Sequence, residues 1–162
     1  MKQADLLALA SKVRRVTAPA AHLYLWVTNN FLEDGLQIAR AWGFEYKTLI
    51  TWAKDRFGIG QYFRGQTEHC IFAVKGVLPY KTEDGKRQQG TTLVTAPRLE
   101  HSQKPEQMRE YIERVSYEPR LELFARKVPA EWDAIGLELE DLCPTTNEML
   151  QNQGLLFPLS NS

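Results

Sequence analysis

AAHLYLWV, residues 20–27, is a continuous apolar run closed by Thr28, Asn29 and Asn30, and its reading decides the fold. Such a run suits a strand covered on both faces, and we read it as a central strand. Leu32, Leu36 and Ala39 then keep helical spacing as far as Gly43, a glycine where a C-terminal cap belongs. Phe44, Tyr46, Thr48, Ile50 and Trp52 recur at period two. Strand, helix and strand therefore follow one another.

A loop from about 53 to 67 separates this unit from a further strand, HCIFAVKG (69–76). The polar stretch PYKTEDGKRQQG leads to a short strand at TTLVTA. In HSQKPEQMREYIERV (101–115), Met108, Tyr111, Ile112 and Val115 make one apolar stripe on a helix predicted to start at Pro105, where a missing N–H costs nothing. RLELFARK (120–127) supplies a last strand after the break at Glu118-Pro119. Alternating strands and helices predict an α/β sheet with helices on both faces. Residues 140–162 are polar and read as a C-terminal tail.

The totals narrow the classes. The chain's 162 residues suffice for one domain with a real core. Twenty basic and 20 acidic residues cancel, so any nucleic-acid contact rests on a local patch. Cys70 and Cys143 have no paired spacing, which speaks against a disulfide framework or structural zinc and for a reducing, cytoplasmic setting. No stretch resembles a signal peptide or a membrane span, so no membrane partner is expected.

Several polar groups fall at strand ends, where open α/β sheets bind ligands. Thr28, Asn29 and Asn30 follow the first strand and serve there either as a cap or as a site. The loop AKDRFGIGQYFRGQ (53–66) mixes Lys54, Arg56 and Arg64 with Phe57, Tyr62 and Phe63. Charge beside aromatic faces suits single-stranded or flipped bases; the plainer reading is a surface loop whose rings fold back onto the core. Its glycines lack the spacing of a dinucleotide fingerprint.

Glu68 opens the next strand and can accept a hydrogen bond from an exocyclic amine or pair with an arginine. Its neighbours His69 and Cys70 point to opposite faces of a strand and cannot chelate one ion, so no metal is expected. Lys104 stands at the mouth of the later helix, beside the positive end of the dipole, where an anion is expected. With Arg126 it can hold a carboxylate, a phosphate or a ribose hydroxyl; the alternative is two solvated charges. No Ser/His/Asp constellation and no P-loop is present in the sequence.

HLYLWVTNN, AWGFEYKTLITWAK, FRGQTEHCIFAVKG, HSQKPEQ, and RLELFARK followed by EWDAIG, in this order, resemble the MT-A70 family of S-adenosylmethionine-dependent adenine-N6 methyltransferases, especially phage and bacterial members. The resemblance runs over residues 1–139 and implies a Rossmann-like methyltransferase sheet. It implies that Lys104 holds the methionine carboxylate of the cofactor S-adenosyl-L-methionine, that Arg126 lies at its ribose end, and that Gly136 belongs to the cofactor side. Glu68, with Asn29, would face the target adenine. Lys54, Arg56, Tyr62, Phe63 and Arg64 would meet nucleic acid, DNA before RNA.

Two departures qualify what the resemblance implies. The family's Asp-Pro-Pro-Trp motif, whose acceptors draw on the adenine amine, is absent, so no catalytic residue is assigned and the domain is expected to be partial, truncated at its N-terminal side. Leu137 stands where many members have a ribose-contacting asparagine, and leucine cannot make that bond. The amine's lone pair is shared with its ring, so transfer needs positioned acceptors besides a methyl donor. The chain alone is therefore expected to be inactive. The alternatives are a non-catalytic nucleic-acid-binding module or a partner subunit dimerised with a catalytic homologue.

Overall fold

The computed structural model describes residues 2–77, 80–98, 103–125 and 130–135, in two compact units, 1–116 and 117–162. In the first unit, α1 (Gln3–Ala8) opens with the Asp5 carboxylate accepting the Lys2 amide at 2.9 Å, and α2 (Ala10–Val16) follows. β1 (Ala21–Val27) leads through a 3-10 turn, Asn29–Phe31, into α3 (Leu32–Ala41). That helix stops at Gly43, whose φ of 92° lies in the left-handed region, while the Phe44 amide reaches back to the Ala39 carbonyl at 3.0 Å. The expected cap is thus in place.

β2 (Glu45–Ala53) and β3 (Thr67–Lys75) follow, joined by the long loop. β4 (Thr82–Glu83) and β5 (Lys86–Arg87) form a hairpin inside the stretch read as merely polar. Asp84 and Gly85 both have positive φ, the turn that an Asp-Gly pair favours. β6 (Leu93–Thr95) and α4 (Glu106–Val115) complete the unit. Pro105 caps α4 in extended backbone, so the helix begins one residue later than predicted.

The sheet order is β1-β3-β2-β6. β3 is antiparallel to both neighbours and β2 is parallel to β6, so β1 and β2 run the same way on either side of a reversed strand. This corrects the reading of β1 as central: among the described residues it pairs only with β3 and lies at the edge. An apolar run reports covered faces, and β1 has helices over both faces while, among the described residues, one edge carries no partner strand.

Register sorts the side chains. Val27, Ile71 and Leu25 share the face on which α3 lies, close enough that a Cβ on Gly35 would stand 2.4 Å from Val27 Cγ1. On the other face Ile50, Trp52, Cys70, Val94 and Met108 form a buried cluster, with Tyr24, Trp26, Phe72, Tyr111 and Ile112 packed against it. Met108, 2% exposed, fixes α4 there, a contribution of roughly 1.5–3 kcal/mol. Helices on both faces are therefore present, and the fold is mixed α/β.

In the second unit β7 (Leu121–Leu123) pairs in parallel with β8 (Asp133–Ile135), a strand that the sequence reading lacks. Arg126, Gly136, Leu137, Cys143 and the tail at 140–162 lie outside the described residues. Among the described residues no helix is long and apolar enough to cross a membrane.

Candidate functional site

β3 is reversed, so its first residues lie beside the carboxyl ends of β1 and β2. The register places Glu68 opposite Trp52 on one side, and Trp26 opposite Cys70 on the other. Glu68, Cys70, Trp26 and Trp52 thus share the face that α4 covers. The two indoles meet edge to face, their centroids 6.3 Å apart, and Trp52 Nε1 donates to the Ala96 carbonyl at 2.9 Å.

Glu68 is 8% exposed, and each of its oxygens holds one ammonium. Lys54 Nζ donates to Oε2 at 2.9 Å and Lys104 Nζ donates to Oε1. Each lysine also lies over an indole, Lys54 at 4.5 Å from the Trp52 ring and Lys104 at 5.1 Å from the Trp26 ring. Burial pushes the Glu68 carboxyl up, but the hydrogen bonds and charges of Lys104 and Lys54 outweigh it and hold the group below its ordinary range. The carboxylate is therefore ionised and acceptor-only. Two cations against one anion leave this cluster with a surplus positive charge.

The anion expected beside Lys104 is thus present, and within the chain it is Glu68. Glu68 pairs with lysines rather than with the arginine considered from sequence. Asn29 stands at the same end of the sheet, where its side-chain carbonyl accepts from Thr67 Oγ1 at 3.2 Å, and Thr28, the residue that caps the turn Asn29 begins, makes no side-chain cap bond to it.

Beyond Lys54 the loop stands out from the sheet. Lys54 N and Gly58 N close it on the carbonyls of Gln66 (2.9 Å) and Gly65 (2.6 Å). Tyr62 and Phe63 are 93% and 92% exposed, so these rings do not fold back onto the core. Arg64 donates to the Gly58 carbonyl at 3.1 Å and lies over Phe57, and Arg56 pairs with its neighbour Asp55 at 3.5 Å. Lys54 belongs to the Glu68 cluster rather than to the exposed part of the loop.

The match to known sequences covers the same elements. The sequence pattern of the MT-A70 family matches residues 1–138. The chain belongs to the MT-A70 family. It is 33% identical over 146 residues to the type II methyltransferase M.MunI of Mycoplasma sp, covering 87% of this chain and 61% of that protein. It is 31% identical over 144 residues to an N(6)-adenosine-methyltransferase MT-A70-like protein of Arabidopsis thaliana, covering 82% of this chain and 19% of the other. It is 30% identical over 146 residues to the human N(6)-adenosine-methyltransferase catalytic subunit METTL3, covering 81% and 24% respectively. The chain spans less than two thirds of the length of the Mycoplasma relative and under a quarter of the length of the two eukaryotic ones.

Some features of this MT-A70 chain escape sequence reasoning. Trp26 and Trp52 read as core strand residues, yet each carries a site lysine on its ring. Antiparallel pairing of β2 and β3 around the loop is the signal for a different contact, since it sets Lys54 within reach of Glu68. Cys70 is enclosed in the core, and burial raises its thiol far above the ordinary value. His69 lies on the opposite face, its Nδ1 3.1 Å from Thr51 Oγ1.

Proposed function

We propose that this chain is the cofactor- and nucleic-acid-binding part of an S-adenosylmethionine-dependent adenine-N6 methyltransferase, with DNA preferred to RNA. The observation that carries the reading is the Lys54–Glu68–Lys104 cluster at the carboxyl ends of β1 and β2, beside a loop with two rings in solvent. The relatives' names point the same way, and DNA is placed first because M.MunI is the bacterial relative of which the chain covers 61%.

In this reading Lys104 turns from Glu68 to the cofactor's methionine carboxylate, and the surplus charge of the cluster fits that anion. S-adenosylmethionine supplies the methyl group. Glu68, still held by Lys54, presents an acceptor to the exocyclic amine of the target base, with Asn29 at the same strand end. Tyr62 and Phe63 offer faces for stacking, and Arg56 and Arg64 meet phosphates. Arg126 and Gly136 are assigned to the cofactor on the family resemblance alone.

Residues 1–162 contain no Asp-Pro-Pro-Trp, so the chain by itself transfers no methyl group. Incubation with labelled S-adenosylmethionine and adenine-containing DNA or RNA tests this. The expected result is no incorporation by the chain alone; incorporation abolished by Glu68→Ala would show that residues within the chain replace the motif. A second reading, a cofactor-free binding module or partner subunit, is favoured by the exposed loop, which needs no cofactor to hold a strand. Binding of S-adenosylhomocysteine separates the two.

A further inference from the structure

His22, Tyr24 and Trp26 alternate along β1 and so form one row on the face that α4 covers. Both ends of the α4 segment rest on this row. At its start, Lys104 lies over the Trp26 ring. At its end, Ser116 is 7% exposed, with Oγ 2.8 Å from His22 Nδ1 and 2.9 Å from the Tyr24 hydroxyl. The Ser116 amide closes the helix on the Ile112 carbonyl at 2.8 Å.

The dimensions agree. Ten helical residues span about 15 Å, and four strand steps from His22 to Trp26 span about 13 Å. The helix is a strut whose two ends are set by the two ends of one strand. Phe72 braces the trailing end, its ring 5.0 Å from His22 and 5.1 Å from Tyr24.

Resting on the function proposed above, we propose that the His22–Ser116–Tyr24 cluster is a positioning element for Lys104: it fixes the trailing end of α4 and thereby the register of its leading end over Trp26 and Glu68. A helix free to slide or tilt at Ser116 would carry Lys104 off the carboxylate, because the apolar packing of Met108, Tyr111 and Ile112 is non-directional and does not by itself fix the helix's register. Ser116 joins the two β1 side chains through a single hydroxyl, so loss of that oxygen removes both hydrogen bonds.

The test is an NMR titration of the Glu68 carboxyl in the 162-residue chain, without cofactor or nucleic acid, comparing wild type with Ser116→Ala, Ser116→Thr and Tyr24→Phe. Glu68 reports the Lys104 contact directly. The expected result is a Glu68 midpoint shifted upward in Ser116→Ala and, by less, in Tyr24→Phe, with Ser116→Thr restoring the wild-type value. A midpoint unchanged in Ser116→Ala and Tyr24→Phe, whatever their melting temperatures, would assign the cluster a merely structural role and overturn the proposal. Should Ser116→Ala not fold, Tyr24→Phe, which keeps the ring, decides alone. The readout involves no methyl transfer and no ligand, so its failure is distinct from failure of the methyltransferase reading.

Discussion

Glu68 and Lys104 meet across 36 residues of chain, joining the start of β3 to the mouth of α4. Neither residue is placed by its own local structure. Glu68 is brought there by the reversed strand between β1 and β2, and Lys104 by a helix whose Met108 is locked into the core beneath it.

Removing the carboxylate leaves two ammonium groups facing each other. Glu68→Ala should therefore destabilise the fold by about 1–3 kcal/mol, below the penalty for a fully buried broken pair because Lys54 and Lys104 can both reach water. Lys54→Ala, which leaves one partner in place, should cost less. Urea denaturation of the three proteins checks the order.

The same cluster makes stability acid-sensitive. Glu68 is depressed in the folded state, so its contribution is whole above its unfolded value of 4.5 and is lost as pH falls from there through the folded value. His22 and His69, both lowered from 6.5 with burial the first cause, act in the same direction in a higher window, since the unfolded chain takes up their protons first. The stability difference between wild type and Glu68→Gln should be constant above pH 5 and should shrink as the solution is acidified below about 4.5. A difference independent of pH down to about 3 would mean that Glu68 carries no depressed value.

Gly35 sits where α3 crosses the sheet. A Cβ there would stand 2.4 Å from Val27 Cγ1 and 2.8 Å from Ile71 Cδ1, and Val27 is β-branched and held in its strand. Gly35→Ala should lower stability by about 1–3 kcal/mol despite alanine's better helix propensity, measurable as a fall in melting temperature.

The loop separates binding from folding. Tyr62→Ala and Phe63→Ala should change stability by less than about 0.5 kcal/mol, because their rings touch solvent. Each should weaken binding of a single-stranded oligonucleotide by about 1–3 kcal/mol. Replacing Arg56 and Arg64 together should flatten the log–log salt dependence by roughly 1.4 if each meets one phosphate. An unchanged slope with unchanged affinity would place the contact elsewhere.

Much of the fold was legible because each long element carries its own periodicity. The apolar run at 20–27, the Gly43 cap and the Met108 stripe all lie where the sequence puts them. The edge position of β1 was not legible, since an apolar run records faces and not edges. The Asp84-Gly85 hairpin is signalled by its turn residues alone, amid flanking charge and without an apolar strand pattern. At the site, Lys54, Glu68 and Lys104 each stand out in the sequence, but separately. Their meeting depends on the β2–β3 register and on where α4 crosses the sheet, and neither is a property of any local stretch. Ser116 gave no signal at all, because its partners His22 and Tyr24 lie over 90 residues away.

In the proposed function Lys104 exchanges Glu68 for the carboxylate of an adenosylmethionine-type cofactor. Calorimetric titration of S-adenosylhomocysteine into wild type, Lys104→Met and Glu68→Gln tests it most directly. Charge-assisted hydrogen bonds contribute about 1.5–3 kcal/mol, so Lys104→Met should bind about tenfold or more weakly. Glu68→Gln should bind at least as tightly as wild type, because Lys104 is then no longer held by an internal anion. Equal affinity in wild type and Lys104→Met, or no binding in any of the three, would contradict the account.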